Sequence, residues 1–358
     1  MRLLVVHAWL TGNLGDVLQT SVLLRALRGL EPAALDLSGC PAVPSERCRP
    51  LLDLADRVMS EDPFPRPRSF LGRRAGLALW EVRWRRERGR LFREYDAVLS
   101  APGPFLSSAD RRVHSTLLDV QVARALGVPF VLSSHSIGPL GRPQLRRLAA
   151  AGLIVAREPA THEYLSREGI VSRLAADYAF LYPRPASGLE RGYRQRFGGD
   201  YRAAFLRSDN LDFSALRLQD GALHYGADVL AGPGSRLVLA TSDPHRDEGP
   251  LGSLAVRLGV PFAACETPDE LFGVIGGASE IVSDRYHPCV CAAALGKRPA
   301  IIRNREAHKM GGLERLLEGR GLEEIRNLAA SGLEEVLGFL RAARGRSTAP
   351  VPRPDRAR

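Results

Sequence analysis

Short apolar runs alternate with amphipathic helical patterns along most of this chain, and that alternation leaves few folds open. Leu3 to Trp9 reads as a strand and Val17 to Leu30 as a helix, with apolar residues at three- and four-residue steps (Val17, Leu18, Val22, Leu23, Leu27, Leu30) and Asp16 placed to cap it. Strands at 34–37, 97–100, 130–134 and 153–156 and a helix at 117–126 complete a first series. From Gly188 to Asp200 the pattern lapses into Gly, Arg and Tyr, then restarts with strands at 203–206, 237–240, 261–264, 280–283 and 300–303. Helices follow at 251–258, after the capping sequence Thr267-Pro268-Asp269-Glu270, at 289–295 and at 313–317. At 358 residues the chain is too long for one ordinary domain of about 150. The expectation is an α/β protein of two Rossmann-like doubly wound domains, 1–185 and 200–340, followed by a disordered basic tail, 345–358.

Composition narrows the function. With 45% hydrophobic and 25% charged residues the chain can bury a core, which excludes collagen, coiled coil and wholesale disorder. No apolar run approaches the roughly 20 residues that span a bilayer, and Leu3 to Leu10 leads into Gly12-Asn13-Leu14-Gly15-Asp16 rather than a cleavage site, so a cytoplasmic protein is expected. The cysteines at 40, 48, 265, 289 and 291 are odd in number, which argues against a disulfide framework. Cys289 and Cys291 beside His287 would sit about 200° apart on a helix and cannot share an ion, so no metal is expected. The formal charge of +10 comes from two segments, Gly72 to Arg93 with +6 and Arg341 to the end with +5. The body is near neutral, so nucleic acid is not an expected partner.

In open α/β sheets ligands bind beyond the carboxyl ends of the strands. The strand assignments put Asn13, Asp16, Gly103, Ser136 to Gly138, Arg157, Arg207, Asp243, Arg285, His287, Arg303, Arg305, His308 and Lys309 there, with His308 read as a surface or packing residue. Guanidinium forks suit carboxylate and phosphate oxygens, so a ligand with more than one negative charge is favoured. By spacing alone a tight turn with a capping Asp explains Asn13 to Asp16 equally well, and arginines at strand ends can simply be solvated.

The ordered set of motifs goes further. Asn13-Leu14-Gly15-Asp16, Ser136-Ile137-Gly138-Pro139, Arg157-Glu158, Gly169-Ile170, Asp177, Thr267 to Leu271, Ser283-Asp284-Arg285-Tyr286-His287, Gly296-Lys297-Arg298-Pro299 and Lys309 resemble the polysaccharide pyruvyltransferase family, in its order, over about residues 1–330. The resemblance implies a GT-B-like pair of domains with a crevice between them, and transfer of pyruvate from phosphoenolpyruvate to two sugar hydroxyls as a ketal, with release of phosphate. Phosphoenolpyruvate is then the donor substrate, and no cofactor is implied. Arg157 and Arg285 are the implied clamps, with Arg207 and Lys309 as helpers and His287 as the acid/base. Arg285 and His287 form the catalytic pair; Asn13, Asp16, Gly103 and Gly138 are expected to line the substrate site. The acceptor is a saccharide or lipid-linked glycan on the N-terminal side. The sequence departs from the family where Ala101-Pro102-Gly103-Pro104 carries fewer glycines and where 187–201 is unusually basic, which bears on the acceptor.

Two other readings stay open: a GT-B-type glycosyltransferase using a nucleotide sugar, and a catalytically silent carbohydrate- or membrane-binding family member. The basic segment 72–93 has Phe70, Leu77, Trp84 and Leu91 at seven-residue steps, with Trp80 one turn before Trp84. It reads as a helix packed on the first domain with a solvated basic face, or as a surface helix touching the inner face of the membrane.

Overall fold

The computed structural model describes residues 1–40, 45–61, 70–103, 105–108, 112–185, 188–234, 236–302 and 307–347. Arg303, Arg305 and the expected tail from 348 onward lie outside them. The first half is a parallel sheet of eight strands: β1 (Arg2–Trp9), β2 (Ala34–Cys40), β3 (Arg57–Ser60), β4 (Ala97–Ser100), β5 (Phe105–Leu106), β6 (Phe130–Ile137), β7 (Leu153–Ala156) and β8 (Arg173–Leu174). The order is β3-β2-β1-β4-β6-β7-β8, with β5 paired to the end of β6. Its helices are α1 (Leu14–Arg28), α2 (Arg49–Leu52), α3 (Phe70–Phe92), α4 (Arg112–Leu126), α5 (Arg142–Leu148) and α6 (Pro159–Arg167). Every residue of β6 is buried, as befits a strand covered on both faces.

The second half repeats the plan. Its sheet runs β14-β13-β9-β15-β16, all parallel, from β9 (Tyr201–Phe205), β13 (Arg236–Thr241), β14 (Phe262–Ala264), β15 (Glu280–Ser283) and β16 (Ala300–Ile301). An antiparallel meander, β10 (Leu216–Gln219), β11 (Ala222–Tyr225) and β12 (Asp228–Ala231), sits between β9 and β13 in sequence. Its first turn is Asp220-Gly221 with φ of +49° and +74°. That Asp-Gly pair between short runs is a hairpin signal that the strand–helix reading passed over. The helices are α7 (Gly188–Arg196), α8 (Pro244–Leu258), α9 (Pro268–Gly277), α10 (Tyr286–Ala294), α11 (Ala307–Glu318) and α12 (Leu322–Ser347).

Two expectations change. The lapse at 188–200 contains α7, which lies on α9 because Gly273, Gly276 and Gly277 leave room for Tyr193 and Glu190. The last helix, α12, runs through Ser347, past the expected domain end at 340 and the expected tail start at 345. It also leaves the second half: Ile325 and Ala329 sit in one core, while Val336, Leu337 and Leu340 sit in the core of the first sheet. Its periodicity marks it as a helix, but which sheet it packs on depends on contacts far away in sequence. The tryptophan stripe of α3 packs on the first domain, as one of its two readings expected: Trp80 and Trp84 stack at 5.0 Å against Leu118, and Trp84 Nε1 donates to Asp119 Oδ1 at 2.6 Å. Among the described residues of that helix, Leu79 and Val82, 71% and 66% exposed, are the large apolar side chains turned outward with its arginines.

Gly332 lets α12 approach the first sheet, since a Cβ there would meet Ala175 Cβ at 2.3 Å. In a free helix Gly→Ala is favourable by about 1 kcal/mol. Here Gly332→Ala is expected to destabilise by about 1–3 kcal/mol through overpacking. Gly338→Ala, which meets nothing within 4 Å, should be neutral or stabilising. Urea unfolding midpoints of the two variants will separate the cases.

Candidate active site

The carboxyl ends of both sheets face one cavity of about 200 Å³. From the first half β1 contributes His7 and Trp9, the turn into α1 contributes Asn13 and Asp16, and the segment after β4 contributes Pro102, Gly103 and Phe105. From the second come Arg207 after β9, Ser242 and Arg246 at the start of α8, Arg285 to Pro288 at the start of α10, and Lys309. The expected Asn13, Asp16, Gly103, Arg207, Arg285, His287 and Lys309 are therefore together.

The halves meet through α1. Asn13 caps the helix by accepting from the Gly15 N–H at 3.1 Å, and the Leu14 N–H donates across to Ser242 O at 2.9 Å. A Cβ on Gly15 would lie 1.9 Å from His287 Nδ1, so only glycine admits the imidazole there. Gly103 has φ +120°, and a Cβ on it would collide with the Gln19 and Asp16 side chains. These two glycines are steric requirements of the cleft.

Four cationic side chains line the second-half wall. Arg285 Nη1 lies 3.8 Å from Asp243 Oδ2 and Nη2 contacts Asp247. Burial draws its guanidinium down to about 10, helped by Arg207 and Arg246 and opposed by Asp243, so it stays charged at neutral pH. Arg207 grips Asp209 with two bonds of 2.8 Å, and Arg246 reaches the same carboxylate at 3.4 Å. Lys309 Nζ stands 4.9 Å from the centre of the Tyr286 ring. The N-termini of α1, α8 and α10 open on the same space and add their partial positive charge. Among the described lining residues Asp16 is the one carboxylate. Behind the wall Asp284, which accepts from the Arg207 N–H at 3.0 Å and from Asn210, is pushed by burial up to about 7.

Arg157 is a correction. Expected as a ligand clamp, it is fully buried and does not line the cavity. Its Nε donates to Ser136 Oγ at 2.6 Å and its Nη1 to Asp177 Oδ2 at 3.1 Å, Glu158 lies 3.4 Å away, and the Tyr286 ring covers it at 4.2 Å. Asp177 Oδ2 in turn faces His287 Nε2 at 3.7 Å. Against the burial that would raise it, His287 and Arg157 hold the Asp177 carboxyl below its usual range. Gly138 is also off the cavity; a Cβ there would press on the Phe105 ring at 2.6 Å, so its place is behind the lining. Arg246, His7 and Trp9 were not singled out by the sequence. Arg246 follows the strand-end motif Thr241-Ser242-Asp243, a signal that was available; His7 lay inside an apparently regular strand.

A family model described as polysaccharide pyruvyl transferase matches residues 13–306. None of the curated proteins compared matches the chain in sequence. Among solved structures it is similar to the UDP-GlcNAc 2-epimerase of Methanocaldococcus jannaschii in complex with UDP-GlcNAc and UDP, with TM-score 0.58 and 12% identity over 96% of this chain and 100% of that one. It is also similar to the UDP-GlcNAc 2-epimerase of Neisseria meningitidis bound to UDP-GlcNAc, with TM-score 0.54 and 12% identity over 94% and 100%. These are GT-B folds, and at such identity the likeness is one of fold: two Rossmann-like halves and a cleft.

Replacing Arg157 by Met should destabilise the protein by about 3–5 kcal/mol at pH 7, since Asp177 and Glu158 would remain buried without their cation. In the parent protein Asp177 has a lowered pKa, so its contribution is present above the unfolded carboxyl value and lost as pH falls through the folded one. In the variant Asp177 would be raised instead, Glu158, which burial already raises in the parent, would go higher still, and both would neutralise earlier. The stability gap is therefore expected to narrow as pH falls from 7 toward about 5, measured by denaturant unfolding; a gap that stays constant would contradict the network.

Proposed function

The chain belongs to the polysaccharide pyruvyl transferase family, and on that premise we propose that it transfers pyruvate from phosphoenolpyruvate to two hydroxyls of a saccharide, closing a cyclic ketal and releasing phosphate. The observation that supports this reading is the meeting of Arg207, Arg246, Arg285 and Lys309 with a histidine and uncapped helix N-termini in a cavity suited to a small polyanion. The carboxylate and phosphate of the donor would take the guanidinium faces turned away from Asp209, Asp243 and Asp247, together with the N–H groups at the starts of α8 and α10. No step of the scheme is routed through a metal, because these cations hold the phosphate as its charge develops.

His287, with Asp177 behind it and Gly15 against its ring, gives a proton to the methylene carbon of the donor. That carbon becomes a methyl group and its neighbour an oxocarbenium-like centre. The first sugar hydroxyl adds there and its proton goes to His287, which restores the starting state. Phosphate then departs, and the second hydroxyl closes the ring. The acceptor, a saccharide or lipid-linked glycan, would lie toward the first-half wall, where Trp9 and Phe105 offer aromatic faces to a sugar ring. On the cytoplasmic side, an anionic membrane would meet the outward face of α3, where Leu79 and Val82 stand among Arg83, Arg86 and Arg90.

Phosphoenolpyruvate is expected to raise the melting temperature where UDP- and GDP-sugars do not, and to release phosphate in the presence of a suitable glycoside. A shift with nucleotide sugars alone would overturn the reading. His287→Gln should keep the donor-induced shift and lose about two to four orders of magnitude in turnover. Arg285→Lys should weaken donor binding, because a point charge cannot reproduce a two-pronged grip. Replacing Arg83, Arg85 and Arg86 by Ser should reduce sedimentation with anionic liposomes while turnover of a soluble acceptor stays unchanged; equal sedimentation before and after would remove the membrane contact.

A further inference from the structure

The outer surface of the first half carries charge that the proposed chemistry does not use. Where α3, α4 and α5 lie side by side they form a groove of about 660 Å³ that shares no lining residue with the catalytic cavity. Four arginines converge on it: Arg85 of α3, Arg124 of α4, and Arg146 and Arg147 of α5. Helix α5 has no acidic residue, and the one carboxylate of α4, Asp119, is buried. Of the two on the described part of α3, Glu87 pairs with Arg83 and Glu81 with His114. The groove therefore gathers four positive charges with no negative side chain among its described lining residues.

A general preference for arginine does not account for this. Surface arginines elsewhere lie beside carboxylates: Arg28 by Asp56 at 2.8 Å, Arg315 by Glu163 at 3.0 Å, Arg173 by Glu335 at 3.6 Å. None of the four groove arginines has a carboxylate partner among the described residues. Arg85 Nη2 donates instead to the neutral Gln121 Oε1 at 2.8 Å, which fixes its guanidinium without cancelling its charge. The small side chains of Ala125 and Ala150 line the space among them. Like charges gathered in one concavity repel, and a bound anion relieves that repulsion. Guanidinium forks match phosphate oxygens in particular.

What lies beside the groove selects the kind of anion. Leu79, Val82 and Arg85 follow one another at three-residue steps on α3, so they form one ridge that leads from the exposed apolar pair to the groove. Arg86, also exposed, stands one turn beyond Val82. A soluble phosphate gains nothing from leucine and valine turned to solvent. A membrane surface does, because apolar side chains enter the acyl boundary while arginines stay at the level of the headgroups. We propose that the groove between α3, α4 and α5 seats the phosphate groups of anionic phospholipids, with Leu79 and Val82 entering the bilayer surface beside it. This deepens the membrane contact proposed above for α3 and rests on it. Charge drawn from three helices packed on one another sets the orientation of the protein on a bilayer, where a single helix would leave it free to roll.

The test leaves α3 intact. In the full chain Arg124, Arg146 and Arg147 are replaced together by Gln, and the variant is compared with one of equal net charge in which Arg167, Arg191 and Arg298, exposed arginines of other elements, are replaced by Gln. Both are expected to keep the melting temperature of the parent. Partitioning onto phosphatidylcholine vesicles that contain phosphatidylglycerol, read by sedimentation, should fall by about two orders of magnitude in the groove variant, at about fivefold for each arginine. In the control variant it should stay within about threefold of the parent, since charges far from the bilayer are screened. Equal partitioning of the two variants would overturn the groove as a lipid seat and leave the α3 contact standing. Parent protein that sediments no better with phosphatidylglycerol than with phosphatidylcholine alone would overturn both. Inorganic pyrophosphate is the soluble probe. If it raises the melting temperature of the parent but not of the groove variant, while vesicle binding is the same in the two, the groove takes a soluble phosphate and the proposal fails.

Discussion

A guanidinium with no access to water organises the junction between the two halves. Arg157 belongs to the first sheet's strand-end layer, yet the ring it stacks under, Tyr286, opens helix α10 of the second. Its partner Asp177 caps the short turn at Tyr178–Leu181 through the Ala179 N–H at 2.8 Å and presents its other oxygen toward His287. Desolvating an arginine costs several kcal/mol, and here Ser136, Asp177, Glu158 and the aromatic face together offset it. The orientation of a second-half histidine is thereby tied to a first-half charge. Separating the halves at this point would expose or unpair several groups at once.

The cations on the second-half wall follow a different rule. Each arginine there is backed by a carboxylate of its own half: Arg207 and Arg246 by Asp209, Arg285 by Asp243 and Asp247. Backing of this kind fixes the side chains before any ligand arrives and keeps an empty cavity from accumulating unbalanced charge. Only the guanidinium faces turned inward remain to take an anion, so selectivity rests on donor direction more than on net charge.

Much of this was legible in the chain. Strand and helix alternation announced two parallel sheets, and the strand-end rule picked out Asn13, Asp16, Gly103, Arg207, Arg285, His287 and Lys309, which line one cavity. What it could not separate is a side chain at a strand end from one buried behind it. Arg157 and Arg285 look alike in sequence, and only the packing of Tyr286 over one of them distinguishes the two. His7 was hidden for the opposite reason. A register slip leaves no mark in the pattern of Leu3 to Trp9, and its partners Glu61, Arg88 and Asp119 lie more than fifty residues away. The segment 188–200 misled because a helix with almost no buried residue of its own can still dock on a partner's glycines.

The path of α12 has a further consequence. Because residues beyond 332 complete the core under β7 and β8, the first half is not a contiguous stretch of chain: it consists of 1–185 together with the end of the last helix. A ribosome releases the first sheet long before its final packing layer exists. That sheet must wait, with Leu153, Val155 and Ala175 uncovered, while the whole second half is synthesised and folds. The packing of the N-terminal half is thus incomplete until residues beyond 332 are present, and a fragment ending near 185 would carry an open apolar face.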